Sequence, residues 1–66
     1  MRLKINGRVE QVMEVRTLQD LLKVKGLEDC QMVMEHNGVI IKSDSWSQVI
    51  LNDGDTLEFF RLVGGG

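Results

Sequence analysis

Apolar and polar residues alternate through Met1-Arg2-Leu3-Lys4-Ile5. That period places Met1, Leu3 and Ile5 on one face and predicts a half-buried strand. Asn6-Gly7 follows, the strongest short hairpin signal, because both central residues of the favoured tight turn need positive φ. Alternation resumes over residues 8–15 (RVEQVMEV), with Val9, Met13 and Val15 assigned to one side and Gln11 breaking the pattern. The two stretches together predict a β-hairpin. The period then changes: Leu18, Leu21 and Leu22 recur at helical spacing and form one apolar stripe. Thr17 stands ahead of them with Asp20 three residues on, the arrangement of a capping box. Gly26 offers the left-handed conformation that ends helices. A short helix is expected, its stripe lying across the sheet.

Beyond the helix, residues 30–38 (CQMVMEHNG) read as a third strand, with Met32, Met34 and His36 on one face and Asn37-Gly38 as a second turn. Val39–Ile41 is a brief fourth strand. Ser43 or Asp44 is expected to cap a single helical turn carrying Trp46. Residues 52–55 (NDGD) are dense in turn formers. The last strand, TLEFFRLV, sets Leu57 and Phe59 against Glu58 and Phe60. A hairpin, a helix and further strands make an α+β roll, a mixed sheet of four to five strands with one main helix on one face. The helix supplies a crossover, so the first and last strands are expected to pair in parallel at the centre. This is the β-grasp arrangement of ubiquitin-like proteins. The domain is expected over residues 1–63, with a flexible glycine tail at 64–66.

Composition narrows the function. Sixty-six residues make one domain. A single cysteine excludes a disulfide framework and any multi-cysteine metal site built by this chain alone. The net charge of −2 and the mixed charge pattern give no clustered basic face, so no nucleic-acid partner is expected. No apolar run is long enough to span a bilayer and no secretory signal pattern is visible, which gives a cytoplasmic reading with no membrane partner.

Catalytic groups are scarce: one histidine, one cysteine, no tyrosine and no phosphate-binding loop. The chain is not expected to be an enzyme, nor to hold a metal or cofactor of its own. Asp53 and Asp55 flank a glycine, where such carboxylates ordinarily bond backbone amides. His36 would need companions to act as a ligand or base. Cys30 is taken as an inert thiol, and Met13, Met32 and Met34 as core filler.

The C-terminus stands apart. With Leu57 and Phe59 inward, Glu58, Phe60 and Leu62 face outward beside the tail and suggest a partner-binding surface. A one-residue slip of register would invert this, and the alternative is that the Trp46 segment covers Phe60. Gly64, Gly65 and Gly66 could be a frayed end or an expression remnant. They also have a chemical reading: lacking Cβ atoms, they could thread a channel that any side chain would block, presenting the Gly66 carboxylate to another protein's active site.

Taken together, MRLKINGR at the start, TLQDLL at the helix, NGVII ahead of Trp46, NDGDTLEFF and the terminal Gly65-Gly66 resemble the ThiS family of ubiquitin-like sulfur carriers, whose broader group includes the MoaD proteins. ThiS sequences often carry Pro-Arg before the tryptophan, where this chain has Lys42-Ser43; a partner contact made by that arginine does not carry over. The resemblance implies that an E1-like adenylating enzyme (ThiF type), using ATP and Mg, activates Gly66 as an acyl-adenylate with Gly64 and Gly65 threaded into its site. Sulfur from a persulfide donor then makes a C-terminal thiocarboxylate, which a thiazole synthase (ThiG type) uses to form the thiazole of thiamine. Carriers for molybdopterin, cysteine or tRNA thiolation remain alternatives, as do a ubiquitin-like modifier of lysines and a β-grasp binding module with an incidental tail.

Overall fold

A computed structural model describes residues 1–28 and 31–61. The elements run β1 (Arg2–Ile5), β2 (Arg8–Gln11), α1 (Leu18–Val24), β3 (Met32–His36), β4 (Val39–Ile41), a 3-10 helix (Ser43–Gln48) and β5 (Thr56–Arg61). The strands form one sheet in the order β2-β1-β5-β3-β4. β1 and β5 pair in parallel at its centre, and the other neighbours are antiparallel. This is the β-grasp arrangement, in its five-stranded form.

Both Asn-Gly turns take the form expected of them: φ is 50° and 84° at Asn6 and Gly7, and 51° and 85° at Asn37 and Gly38. Their twist matches that of the strands they join. Helix α1 begins at the capping box, where the Asp20 amide donates to Thr17 Oγ1 at 3.1 Å and the Thr17 amide donates to Asp20 Oδ2 at 3.0 Å. The Arg16 amide adds a third bond to Asp20 Oδ2 at 3.1 Å. These amide bonds, the one from Thr17 foremost, hold the Asp20 carboxyl below its ordinary value. The helix ends on Gly26, with the Leu27 amide reaching back to the Leu22 carbonyl at 2.8 Å and Leu27 packed on the core.

The core lies between α1 and one face of the sheet. Leu18, Leu21, Leu22, Met34 and Leu57 are fully buried, with Leu3, Ile5, Trp46 and Leu51 close behind. The Trp46 indole N–H donates to the Ile41 carbonyl at 3.3 Å, which satisfies the polar atom of this buried ring.

Four expectations need correction. β2 stops at Gln11 rather than running to Val15. Val9 pairs with Lys4 and shares the outer face with it, so Val9 is exposed while Glu10, opposite Leu3, turns toward the helix side and bonds Lys25 Nζ at 2.8 Å. Met13 is no core filler: it is 75% exposed in the irregular link where Glu14 adopts a φ of 60°. Neither Ser43 nor Asp44 caps the Trp46 segment; Lys42 occupies the cap position without a side-chain bond, and the helix is a 3-10 helix of six residues. Val15, Met34 and, in part, Met32 do pack as expected.

Candidate functional site

β5 is built on alternation and held on both sides. Leu57 is completely buried and Phe59 packs partly against the core, while Glu58 and Phe60 point away from the helix. The inward placement of Leu57 and Phe59 and the outward placement of Glu58 and Phe60 expected from the sequence are therefore correct. The Trp46 segment does not cover Phe60: Trp46 is in the core and Phe60 is 54% exposed.

The two turn asparagines do more than turn the chain. Asn6 Oδ1 accepts from the Phe59 amide at 2.9 Å, and Asn37 Oδ1 accepts from the Thr56 amide at 2.8 Å. Each stands at the end of a neighbouring strand and pairs a β5 amide that the ladder no longer reaches. These bonds steady β5 as it approaches the C-terminal residues. No local signal in the sequence announces them, since Asn6 and Phe59 are 53 residues apart.

The outer face of the sheet carries the exposed side chains. On the β3-β4-β5 half, register places Val33 opposite Phe60, and Glu35 opposite both Glu58 and Ile40. Ile40 is 65% exposed. A depression of about 300 Å³ lies along Glu35, Thr56 and Glu58 beside the Asn37-Gly38 turn. A second, of about 430 Å³, runs by Val33, Ile40 and Lys42. On the β1-β2 half of the same face lie Arg2, Lys4 and Val9.

His36 has the companions the sequence did not reveal. Its Nε2 lies 2.7 Å from Asp55 Oδ2, which also accepts from the Asn52 amide at 2.9 Å, while Asn37 Nδ2 donates to Asp55 Oδ1 at 3.2 Å. An ionised carboxylate only accepts, so Nε2 carries the proton. Burial alone would raise the Asp55 carboxyl; the bonds from His36, Asn52 and Asn37 reverse this and hold it below its ordinary value of 3.8. The cluster ties the end of β3 to the start of β5 and is a structural clasp. Asp53 bonds a backbone amide as expected, and the amide is a distant one: it accepts from the Arg2 amide on β1 at 2.6 Å. Among the described residues no group of three or more His, Cys, Asp or Glu side chains could hold a metal ion, and no helix is long and apolar enough to cross a membrane.

The lowered Asp55 carboxyl makes a pH prediction. The unfolded chain takes up this proton more readily than the folded one, so the clasp's contribution is present above the ordinary carboxylate range and is lost as pH falls through the lower folded value. Asp20 acts in the same sense. Urea unfolding should show stability declining below about pH 4, and Asp55→Asn should make that decline shallower; an unchanged acid limb in the variant would contradict the account.

Of the sequence-derived site residues, Glu58 and Phe60 lie together on the outer face of β5. Leu62, Gly64, Gly65, Gly66 and Cys30 fall outside the described residues, as does the boundary of the tail at residue 64.

Comparison with known proteins gives consistent results. The family model described as the ThiS family matches residues 3–66. The chain is 37% identical over 65 residues to the sulfur carrier protein ThiS of Bacillus subtilis, covering 97% of this chain and 98% of that protein. It is 36% identical over 66 residues to a thiazole synthase of Paramagnetospirillum magneticum, of which it spans only 20% of the length. A crystal structure of the thiamine biosynthesis protein ThiS of Geobacter metallireducens superposes with a TM-score of 0.83 at 26% identity, covering all of both chains.

Proposed function

This chain belongs to the ThiS family, and from that premise we propose that it is a sulfur carrier for thiazole formation in thiamine biosynthesis. The observation that carries the proposal is the near full-length match to the Bacillus subtilis sulfur carrier, with a family match that runs through the terminal glycines to residue 66. The similarity to one segment of a longer thiazole synthase supports a ThiG-type enzyme as the consumer of the sulfur.

In the proposed reaction the Gly66 carboxylate attacks the α-phosphate of ATP in a ThiF-type enzyme. Pyrophosphate leaves with its charge neutralised by Mg, and an acyl-adenylate forms. This step turns a carboxylate, a poor electrophile, into one with a good leaving group. The outer sulfur of a persulfide donor then attacks the carbonyl carbon and AMP departs. A thiol cleaves the remaining sulfur–sulfur bond and releases the C-terminal thiocarboxylate. Every catalytic group comes from the partners, in keeping with a chain whose own histidine is engaged with Asp55. The carrier's part is to dock and to present its end. Glu58, Phe60 and Leu62 form the proposed partner-binding surface, and Gly64 and Gly65 the threaded arm.

Intact mass tests the reaction. Incubation with a ThiF-type enzyme, ATP, Mg and a persulfide donor should add the mass of one oxygen exchanged for one sulfur at Gly66. No mass gain would reject the carrier reading, and adducts on lysine in its place would favour a modifier. Phe60→Asp tests the surface. An exposed strand position tolerates this change to within about 1 kcal/mol of stability, whereas removing an apolar anchor from an interface should weaken binding about tenfold or more. Binding unaffected by the substitution would place the docking surface elsewhere.

A further inference from the structure

The outer face of β3-β4-β5 carries a defect in its own stability. Glu35 and Glu58 are direct cross-strand neighbours, and like charges facing one another across a ladder are destabilising. Neither pairs with the cations of the salt bridges Lys25–Glu10 and His36–Asp55. Lys4, on the same face, pairs with Thr56 and reaches neither glutamate. Around the acidic rung lie the exposed apolar side chains of Ile40, opposite Glu35, and Phe60, on the next outward rung opposite the half-buried Val33.

We propose that this face docks the carboxylate-activating enzyme through an arginine or lysine of that enzyme, which sits between the Glu35 and Glu58 carboxylates while Phe60 and Ile40 bury against apolar groups beside it. The proposal rests on the carrier reading above and adds the kind of surface the partner presents. Three observations select this occupant. The two carboxylates are already side by side, so a single cation relieves their repulsion and gains two charge-assisted bonds. The face is continuous with the chain's end, because the six residues from Arg61 to Gly66 reach at most about 20 Å when extended. An enzyme acting on Gly66 must therefore rest near Phe60. An enzyme that binds a triphosphate also concentrates cationic groups around its site, which complements a carrier of net charge −2.

The proposal predicts opposite signs for two measurements. Glu35→Gln and Glu58→Gln remove the like-charge rung, so each variant should unfold at a higher temperature than wild type. Each should also bind a purified ThiF-type enzyme about tenfold more weakly, with a shallower dependence of affinity on salt. Affinity unchanged in the double variant overturns the proposal, as does failure of wild type to bind that enzyme. So does self-association of wild type in sedimentation that the substitutions abolish, which would make a second copy the occupant. The mass assay separates this inference from the carrier reading: sulfur gained normally with variants that bind as well as wild type defeats the docking proposal alone, whereas no sulfur gained by wild type defeats the carrier reading.

Discussion

Leu21→Ala is expected to lower the free energy of unfolding by about 2–5 kcal/mol, the range for deleting a fully buried leucine. Leu21 is on the apolar stripe of α1, with no solvent exposure, between Leu18 and Leu22 and against the inner face of the sheet. The loss has two parts. Apolar atoms no longer leave water on folding, and the cavity left behind closes only partly because interiors pack like crystals. A chain of 66 residues has a total stability of only about 3–10 kcal/mol, so the loss is a large share of the whole. Urea titration followed by far-ultraviolet circular dichroism reads this directly. Leu21→Met, which preserves volume, should cost less than about 1.5 kcal/mol. A loss below about 1 kcal/mol for the alanine variant would mean that the site collapses around the deletion or that Leu21 is not the keystone its burial indicates.

Gly65→Val should abolish sulfur loading while leaving the unfolding curve unchanged. The argument is chemical. An activating site must bring the Gly66 carboxylate to the α-phosphate through a passage, and a glycine-only segment fits where a branched side chain collides. A branched side chain also removes backbone conformations that only glycine enters freely. Positions that touch the carboxylate only during its activation reduce turnover, whereas docking positions such as Phe60 reduce affinity. Intact mass after incubation with enzyme, ATP and donor distinguishes the two. Wild type should convert and Gly65→Val should remain unmodified although it still binds. Normal conversion of the variant would show that the passage accepts side chains and that the glycines serve some other purpose.

The parts of this fold written in local spacing were legible from the chain. Alternation in Leu3 and Ile5, and again in Leu57 and Phe59, marks strand faces because successive side chains point to opposite sides. Three-and-four spacing of Leu18, Leu21 and Leu22, closed by Thr17 and Asp20, marks the helix and its start. Asn6-Gly7 and Asn37-Gly38 specify their turns because both central positions need positive φ. Misreadings arose where a short element left the period ambiguous. Val9 and Met13 fit an inward pattern on paper, but register with β1 sent Val9 outward, and β2 ended before Met13. At the 3-10 helix, Ser43 and Asp44 had the chemistry of caps and lay one and two residues too far along to serve.

The sequence by itself determined the fold class, the inward face of each central strand, the helix and its caps, the family, and the outward placement of Glu58 and Phe60. Only the tertiary structure decided which side chains meet across distance: Asn6 with the Phe59 amide, His36 with Asp55, and Glu35 with Glu58. The reason is physical. Periodicity and turn chemistry act over a few residues and are read within one segment, whereas cross-strand pairing depends on register between segments far apart in the chain. A shift of one residue there would give the same local pattern and a different surface.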